Sequence, residues 1–191
     1  MKNNELKCYI KRLINRGQVK LINEEKPIKY LAEQASKGNE DCFIELCDAL
    51  KTKLFRTAKG ILGNETLALD VVSEAVFRAY KNIKKLREPK YAETWFIRIL
   101  INVANDLYRR QKHEIVMETV PEGEYFDTHS ELDFEQMIAS LQPELRDIVS
   151  LKYFSDYSLK EISEILNIPE GTVKSRLNRA LNLLRLEVLD E

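Results

Sequence analysis

Lys174, Ser175, Asn178 and Arg179 are side chains of the types that read a nucleic acid, with Thr172 and Arg176 beside them. Lys and Arg donate to the acceptors of guanine, Asn pairs with the edge of adenine, and Ser, Lys and Arg grip phosphate oxygens. From Thr172 to Arg185 there are four basic residues and no acidic one. A second constellation lies upstream. Arg98, Asn102, Asp106 and Arg109 stand at helical steps of four, four and three, a single polar ridge that Arg110 extends, and Trp95 sits at its head. An aromatic beside a basic ridge suits stacking on unpaired bases, which is sequence-tolerant and contributes roughly 1–3 kcal/mol per base. Each has a plainer reading: a solvated helix face for the basic residues, and a core plug for Trp95. No Gly-rich phosphate loop, nucleophile–base pair or metal-ligand cluster stands out, so neither an enzyme nor a bound cofactor is expected.

These residues need elements to carry them. Ser158–Leu166 has one apolar face of Leu159, Ile162, Ile165 and Leu166, and Ser158 with Glu161 has capping-box spacing. Asn167, Pro169 and Gly171 then turn the chain into a second helix, whose stripe of Val173, Leu177, Ala180, Leu181 and Leu184 faces inward. Two short helices separated by about four residues form a helix-turn-helix pattern. Pro143 opens the helix before it, with Leu145, Ile148, Val149 and Leu151 packing inward.

Upstream, residues 28–113 read as an all-helical domain. Ile28–Ser36 is a short helix ended by Gly38, and Asn39 or Asp41 caps the next, with a stripe from Phe43 to Ile61 closed by Gly63-Asn64. A third helix runs from Leu69 to Lys85. Thr94 is expected to cap a fourth, from Trp95 to about Lys112, with Phe96, Ile99, Leu100, Val103 and Leu107 inward. The fold class is therefore all-α: two small helical domains, 28–113 and 133–191, joined by a flexible acidic linker at 114–132. Residues 1–27 form a basic extension in which Leu6, Tyr9, Ile10, Leu13 and Ile14 recur at helical spacing. It suits a membrane surface or a partner, an extra helix on the next domain, or a frayed tail.

The net charge of the 191-residue chain is only -1, so nucleic-acid contact must come from local charge separation. Glu114 to Glu135 holds eight acids and no Lys or Arg, between the two basic stretches. Cys8, Cys42 and Cys47 are odd in number with no C-x-x-C, which suits free thiols in a reducing cytoplasm. No apolar run reaches membrane-spanning length, and a cytoplasmic protein is expected.

Three segments together resemble one family. Asp70-Val71-Val72-Ser73-Glu74 followed by Phe77-Arg78-Ala79-Tyr80 resembles the core-polymerase-binding segment of bacterial sigma factors. Trp95-Phe96-Ile97-Arg98-Ile99 with Asn102, Asp106 and Arg109-Arg110 resembles their promoter-melting helix, and Glu170 to Arg176 with Arg179-Ala180 their second DNA-reading helix. With just two domains, the chain is similar to the compact extracytoplasmic-function (ECF) subfamily of sigma-70-type factors. The resemblance implies that Asp70, Val71, Val72, Glu74, Phe77, Arg78 and Tyr80 bind core RNA polymerase. It implies docking on a coiled coil of the largest subunit and on the flap region. It also implies that Thr172, Lys174, Ser175, Arg176, Asn178 and Arg179 read the −35 element as duplex. Trp95, Arg98, Asn102, Asp106, Arg109 and Arg110 would hold the −10 element as single strand, with a base flipped near Asn102 and the loop from Leu86 to Glu93. Anti-sigma partners, and control by stress or envelope signals, are common in the subfamily. The acidic linker would suit a basic polymerase channel. Two positions depart from the pattern: Ser73 stands where Gln is usual, and Ile101 where a basic residue is frequent. A free-standing duplex-binding regulator remains the competing function, although it needs neither the Asp70 segment nor the Trp95 ridge.

Overall fold

The structure is a computed structural model that describes residues 26–117, 137–138 and 140–189. The amphipathic pattern at residues 1–25 and most of the acidic linker lie outside the described residues. Seven α-helices are present among them, and no strand: α1 (Ile28–Ser36), α2 (Glu40–Leu62), α3 (Glu65–Asn82), α4 (Ala92–Met117), α5 (Pro143–Val149), α6 (Leu159–Leu166) and α7 (Glu170–Leu189). Two 3-10 turns, Ile83–Lys85 and Pro89–Tyr91, link α3 to α4, and a π-helical turn, Ser150–Phe154, follows α5.

Local chemistry sets most of the ends. The Asn39 side chain accepts from the Cys42 amide at 3.0 Å and starts α2. Gly63, left-handed at φ 61°, stops it. Asn64 then caps α3 by accepting from the Leu67 amide at 2.9 Å. Ser158 and Glu161 form the reciprocal capping box of α6, and Asn167, left-handed at φ 54°, ends that helix. Replacing Ser158 by Ala removes one half of the box and is expected to cost about 1 kcal/mol, read as a lower unfolding midpoint at unchanged promoter preference.

Helices α1–α4 pack side by side around Leu46, Leu50, Leu54, Ile61, Phe96 and Leu100, all essentially inaccessible. The stripes are apolar at steps of three and four, so each helix presents one face to this centre. Cys42 and Cys47 are buried free thiols within it, and burial pushes the Cys47 thiol up, away from reactivity. Helices α5–α7 form the second group, with Ile148, Leu151, Ile162, Val173 and Ala180 inside. Three expectations need correction. α3 starts at Glu65 on its Asn64 cap, not at Leu69, and ends at Asn82, where the Ile83–Lys85 turn takes over. α4 starts at Ala92 rather than after a Thr94 cap, because the Pro89–Tyr91 turn has already wound the chain, and it continues into the acidic segment as far as Met117. Leu181 is 38% exposed, not inward, since it lies beside the buried line of Val173, Leu177, Ala180 and Leu184 and not on it.

The two groups meet along one seam. The π turn lies on α2, and α6 lies against α4. Phe154 packs onto Gly60 so closely that a Cβ there would fall 2.7 Å from the ring. Thr57 and Ser155 share a buried hydroxyl–hydroxyl bond of 2.7 Å. The Tyr157 hydroxyl donates to Glu93 at 2.8 Å, and the Lys53 ammonium lies 5.0 Å from the centre of the Tyr157 ring. Burial, with the Glu93 carboxylate second, pushes the Tyr157 phenol up and keeps it a donor. Arg146 completes the seam: its guanidinium lies 3.9 Å over the Tyr108 ring and donates to Asn105 Oδ1 at 2.7 Å, while Asn105 Nδ2 donates to Asp147 at 2.9 Å.

Candidate nucleic-acid interface

On α7, the residues expected to face DNA are carried by a buried spine of Val173, Leu177, Ala180 and Leu184. Spacing of three and four turns Lys174, Ser175, Asn178 and Arg179 outward, and all four are exposed. Pro169 accepts from the amides of Thr172 and Val173 at 2.9 and 3.1 Å, so the turn is stitched to the first turn of the helix. The Ser175 hydroxyl donates back to the Thr172 carbonyl at 3.0 Å. Arg176 is half-buried and pairs with Glu144 at 2.7 Å, which ties α7 to α5. Lys174, Asn178 and Arg179 therefore make up the outward polar face, with Thr172 and Ser175 at its base and Arg176 turned aside.

The α4 ridge is divided among three surroundings. Trp95 is half-buried and meets the Phe96 ring edge-on at 5.4 Å. It is neither a core plug nor fully free. Together with Ile99 and Asn102 on α4, and Arg78, Asn82 and Lys85 from the end of α3, it lines a cleft of about 290 Å³. A space of this size sits at the lower end of small-molecule sites, roughly 300–1,000 Å³. It offers an aromatic wall, an apolar wall and four groups able to hydrogen-bond. Asn82 and Lys85 were not singled out in the sequence. The legible signal was the basic run Lys81, Lys84, Lys85, Arg87 immediately before the Trp95 helix.

Arg98 leans the other way. Its Nε donates to the Ile165 carbonyl at 2.7 Å and its Nη2 to the Glu164 carbonyl, both at the end of α6. Asp106 and Arg110 belong to a third cleft, of about 450 Å³, with Asp70, Val71, Glu74, Arg78, Val103 and Leu107. There Asp106 pairs with Arg109 at 2.8 Å and with Arg78 at 3.6 Å, and Arg78 pairs with Glu74 at 2.9 Å. The Arg78 guanidinium is held firmly charged, first by its hydrogen bond to Glu74. Arg110 thus stands with the Asp70 face and not beside Trp95.

The expected polymerase-binding residues are likewise only partly together. Asp70, Glu74 and Arg78 share one accessible edge of α3, with Val71 on the floor beside them. Val72 is 1% exposed and Phe77 lies beneath the Lys81 ammonium, 4.1 Å from its ring centre. The apolar face of α3 needs both for the core, so they position the helix and do not present a contact surface. Tyr80 points to the far side. Its ring meets Phe43 edge-on at 5.3 Å and its hydroxyl donates to Glu40, which pushes the phenol up.

Comparison with known proteins accounts for this arrangement. Residues 46–114 match the family model of sigma-70 region 2, and residues 131–184 that of sigma-70 region 4. The chain is 32% identical over 185 residues to the ECF RNA polymerase sigma factor SigW of Bacillus subtilis, covering 87% of this chain and 99% of that one. It is 33% identical over 146 residues to RNA polymerase sigma factor SigV of the same organism, covering 74% and 87%. In fold it is similar to the CnrH chain solved with the cytosolic domain of CnrY, at a TM-score of 0.67 and 22% identity over 86% of this chain and 98% of that one. It is also similar in fold to RpoE of Bartonella quintana, solved with the anti-sigma factor NepR, at a TM-score of 0.57 and 22% identity over 74% and 94%. These matches set aside the free-standing regulator: the chain belongs to the ECF family of sigma-70-type RNA polymerase sigma factors, transcription initiation factors that direct core polymerase to specific promoters.

Proposed function

We propose that the division of labour within this sigma factor follows the three surfaces just described. The outward face of α7, Lys174, Asn178 and Arg179 with Thr172 and Ser175 at its base, reads the −35 element in the major groove. The cleft of Arg78, Asn82, Lys85, Trp95, Ile99 and Asn102 takes one unstacked base of the −10 strand. The edge of Asp70, Glu74 and Arg78 docks on core polymerase. Residues 28–113 and 133–191 serve as the two working domains, in the cytoplasm, with no catalysis of their own.

The observation that carries this reading is the composition of the 290 Å³ cleft. Extruding a base costs a few kcal/mol, and an active pocket recovers that by stacking and by hydrogen bonds to the base edge. Trp95 supplies the stacking surface. Asn102 and Asn82 each offer both a donor and an acceptor, and Lys85 supplies a cation for a flanking phosphate.

Trp95→Ala in holoenzyme is expected to leave binding to duplex promoter nearly intact and to cut strand opening about tenfold or more, following the roughly 1–3 kcal/mol of one stacked base. Permanganate reactivity of unpaired thymines at the promoter is the measurement. Unchanged reactivity in Trp95→Ala and in Asn102→Ala would remove the cleft from the mechanism. An anti-sigma protein, of the kind that RpoE holds in its complex with NepR, is a further partner the reading accommodates, and co-purification from the native cell tests it.

A further inference from the structure

The two asparagines of the strand cleft differ in freedom. Asn102 is exposed, and its amide can turn either end to a ligand. Asn82, the last residue of α3, is half-buried, and its Nδ2 donates to the Arg78 carbonyl one turn back at 2.8 Å. A carbonyl accepts only from an N–H or O–H, so this amide has one orientation. Its nitrogen is held by the helix. Its oxygen accepts from no group among the described residues, and is the end of Asn82 left for the cleft it lines with Trp95 and Ile99.

We infer that Asn82 selects the extruded base, and that it selects for an exocyclic amine: adenine or cytosine over thymine or guanine. This rests on the cleft taking a base, as proposed above. Adenine and cytosine carry an NH2 at one corner of the pairing edge, N6 or N4, next to a ring nitrogen that accepts. Thymine and guanine carry a carbonyl oxygen, O4 or O6, at that same corner, next to a ring N–H. The amine donates to Asn82 Oδ1. The carbonyl would instead set two acceptors face to face in a half-buried site and leave both unpaired.

The other cleft residues do not share in this choice. A rotated amide at Asn102 serves the ring nitrogen of either class of base. Trp95 accepts every base, since all of them have a face to stack. The Arg78 guanidinium is spent on Glu74 and Asp106, and does not compete for Asn82 Oδ1. Asn82 itself cannot adapt by rotation, because turning the amide over would set its oxygen against the Arg78 carbonyl.

The full chain in holoenzyme is offered fork-junction DNA with a duplex upstream element and a single-stranded −10 element. Each −10 position in turn carries adenine, cytosine, guanine or thymine. Two further probes lack only the amine: purine in place of adenine, and 2-pyrimidinone in place of cytosine. Retention of each against a common competitor strand is measured. One position is expected to favour adenine or cytosine about tenfold over thymine and guanine, the scale of one base-edge contact. The matching amine-free probe is expected to lose that factor, which tells whether adenine or cytosine is the base read. Asn82→Ala is expected to level the four bases at that position and to leave the other positions and the duplex element unchanged.

If no position loses retention with the amine, the inference is overturned, and no variant has to fold for that result. A preference that survives Asn82→Ala also overturns it, and leaves the cleft assignment standing where Trp95→Ala still cuts strand opening. A preference that Asn82→Ala removes, while Trp95→Ala and Asn102→Ala change nothing, supports it and overturns the stacking cleft alone.

Discussion

Holoenzyme carrying Lys174→Ala and Arg179→Ala together is expected to lose discrimination at the upstream element. Each base-edge contact is worth about 1–3 kcal/mol, so the pair is worth roughly 2–6 kcal/mol, a factor of about thirty at the least. Selection from a promoter library measures it directly. The effect is expected in recognition and not in folding. Both side chains are exposed, Ala is a good helix former, and the helix is held by Val173, Leu177, Ala180 and Leu184 on its other face. Arg176→Ala serves as the contrast. With its guanidinium paired to Glu144, it is expected to loosen α7 on α5 more than it changes base preference. A double variant that keeps full discrimination would mean that α7 does not read the duplex through this face.

The second large effect is expected at Arg146, which is fully inaccessible although charged. Removing it by Arg146→Ala leaves Asp147 buried, with Asn105 as its remaining recorded partner, and takes the guanidinium off the Tyr108 ring. Removing a fully buried large side chain together with its hydrogen bond to Asn105 costs about 2–5 kcal/mol. Denaturant unfolding of the full chain checks the size of the loss.

The same site gives a pH signature. Burial pushes the Asp147 carboxyl up to about 6 from an ordinary 3.8, against the hydrogen bond from Asn105 and the charge of Arg146. A raised carboxyl means that the folded protein holds its proton more tightly than the unfolded chain. Its contribution is complete below the unfolded value and is lost as pH rises through about 6. Acidification from neutral pH toward 5 is therefore expected to strengthen the seam. Arg146→Ala removes the cation that favours the ionised form, so the window is expected to move toward neutral pH. Asp147→Asn is expected to flatten it, measured as stability against pH.

The ends of the helices were legible because their causes are local. Asn39, Ser158 with Glu161, Gly63 and Asn167 act through bonds to residues three or four positions away, and each stands where a helix begins or stops; Asn64, read only as the close of α2, is also the cap that starts α3 ahead of Leu69. The start of α4 was misread for the same reason: Thr94 has the chemistry of a cap, but Pro89 had already set a turn that runs into the helix. Surfaces assembled from distant segments were harder to see. Periodicity marks Ile101 and Phe154 as apolar without saying that one meets α6 and the other Gly60. It places Arg98, Asn102, Asp106 and Arg109 on one ridge, yet the neighbours along that ridge differ. A carbonyl pair takes the first, a base-sized cleft the second, and ion pairs hold the last two. For α3, the resemblance named a continuous run, whereas a helix can show only one edge of it to a partner. That edge holds Asp70, Glu74 and Arg78, while Val72 and Phe77 turn inward.

The π-helical turn at Ser150–Phe154 carries one residue more than an α-helical turn would, and insertions of this kind recur where helices do work. Each residue advances a helix by about 100°, so deleting Lys152 would swing Phe154 away from the notch at Gly60 while leaving α5 and α6 their own cores. One inserted residue thus sets the angle at which one half of the molecule meets the other.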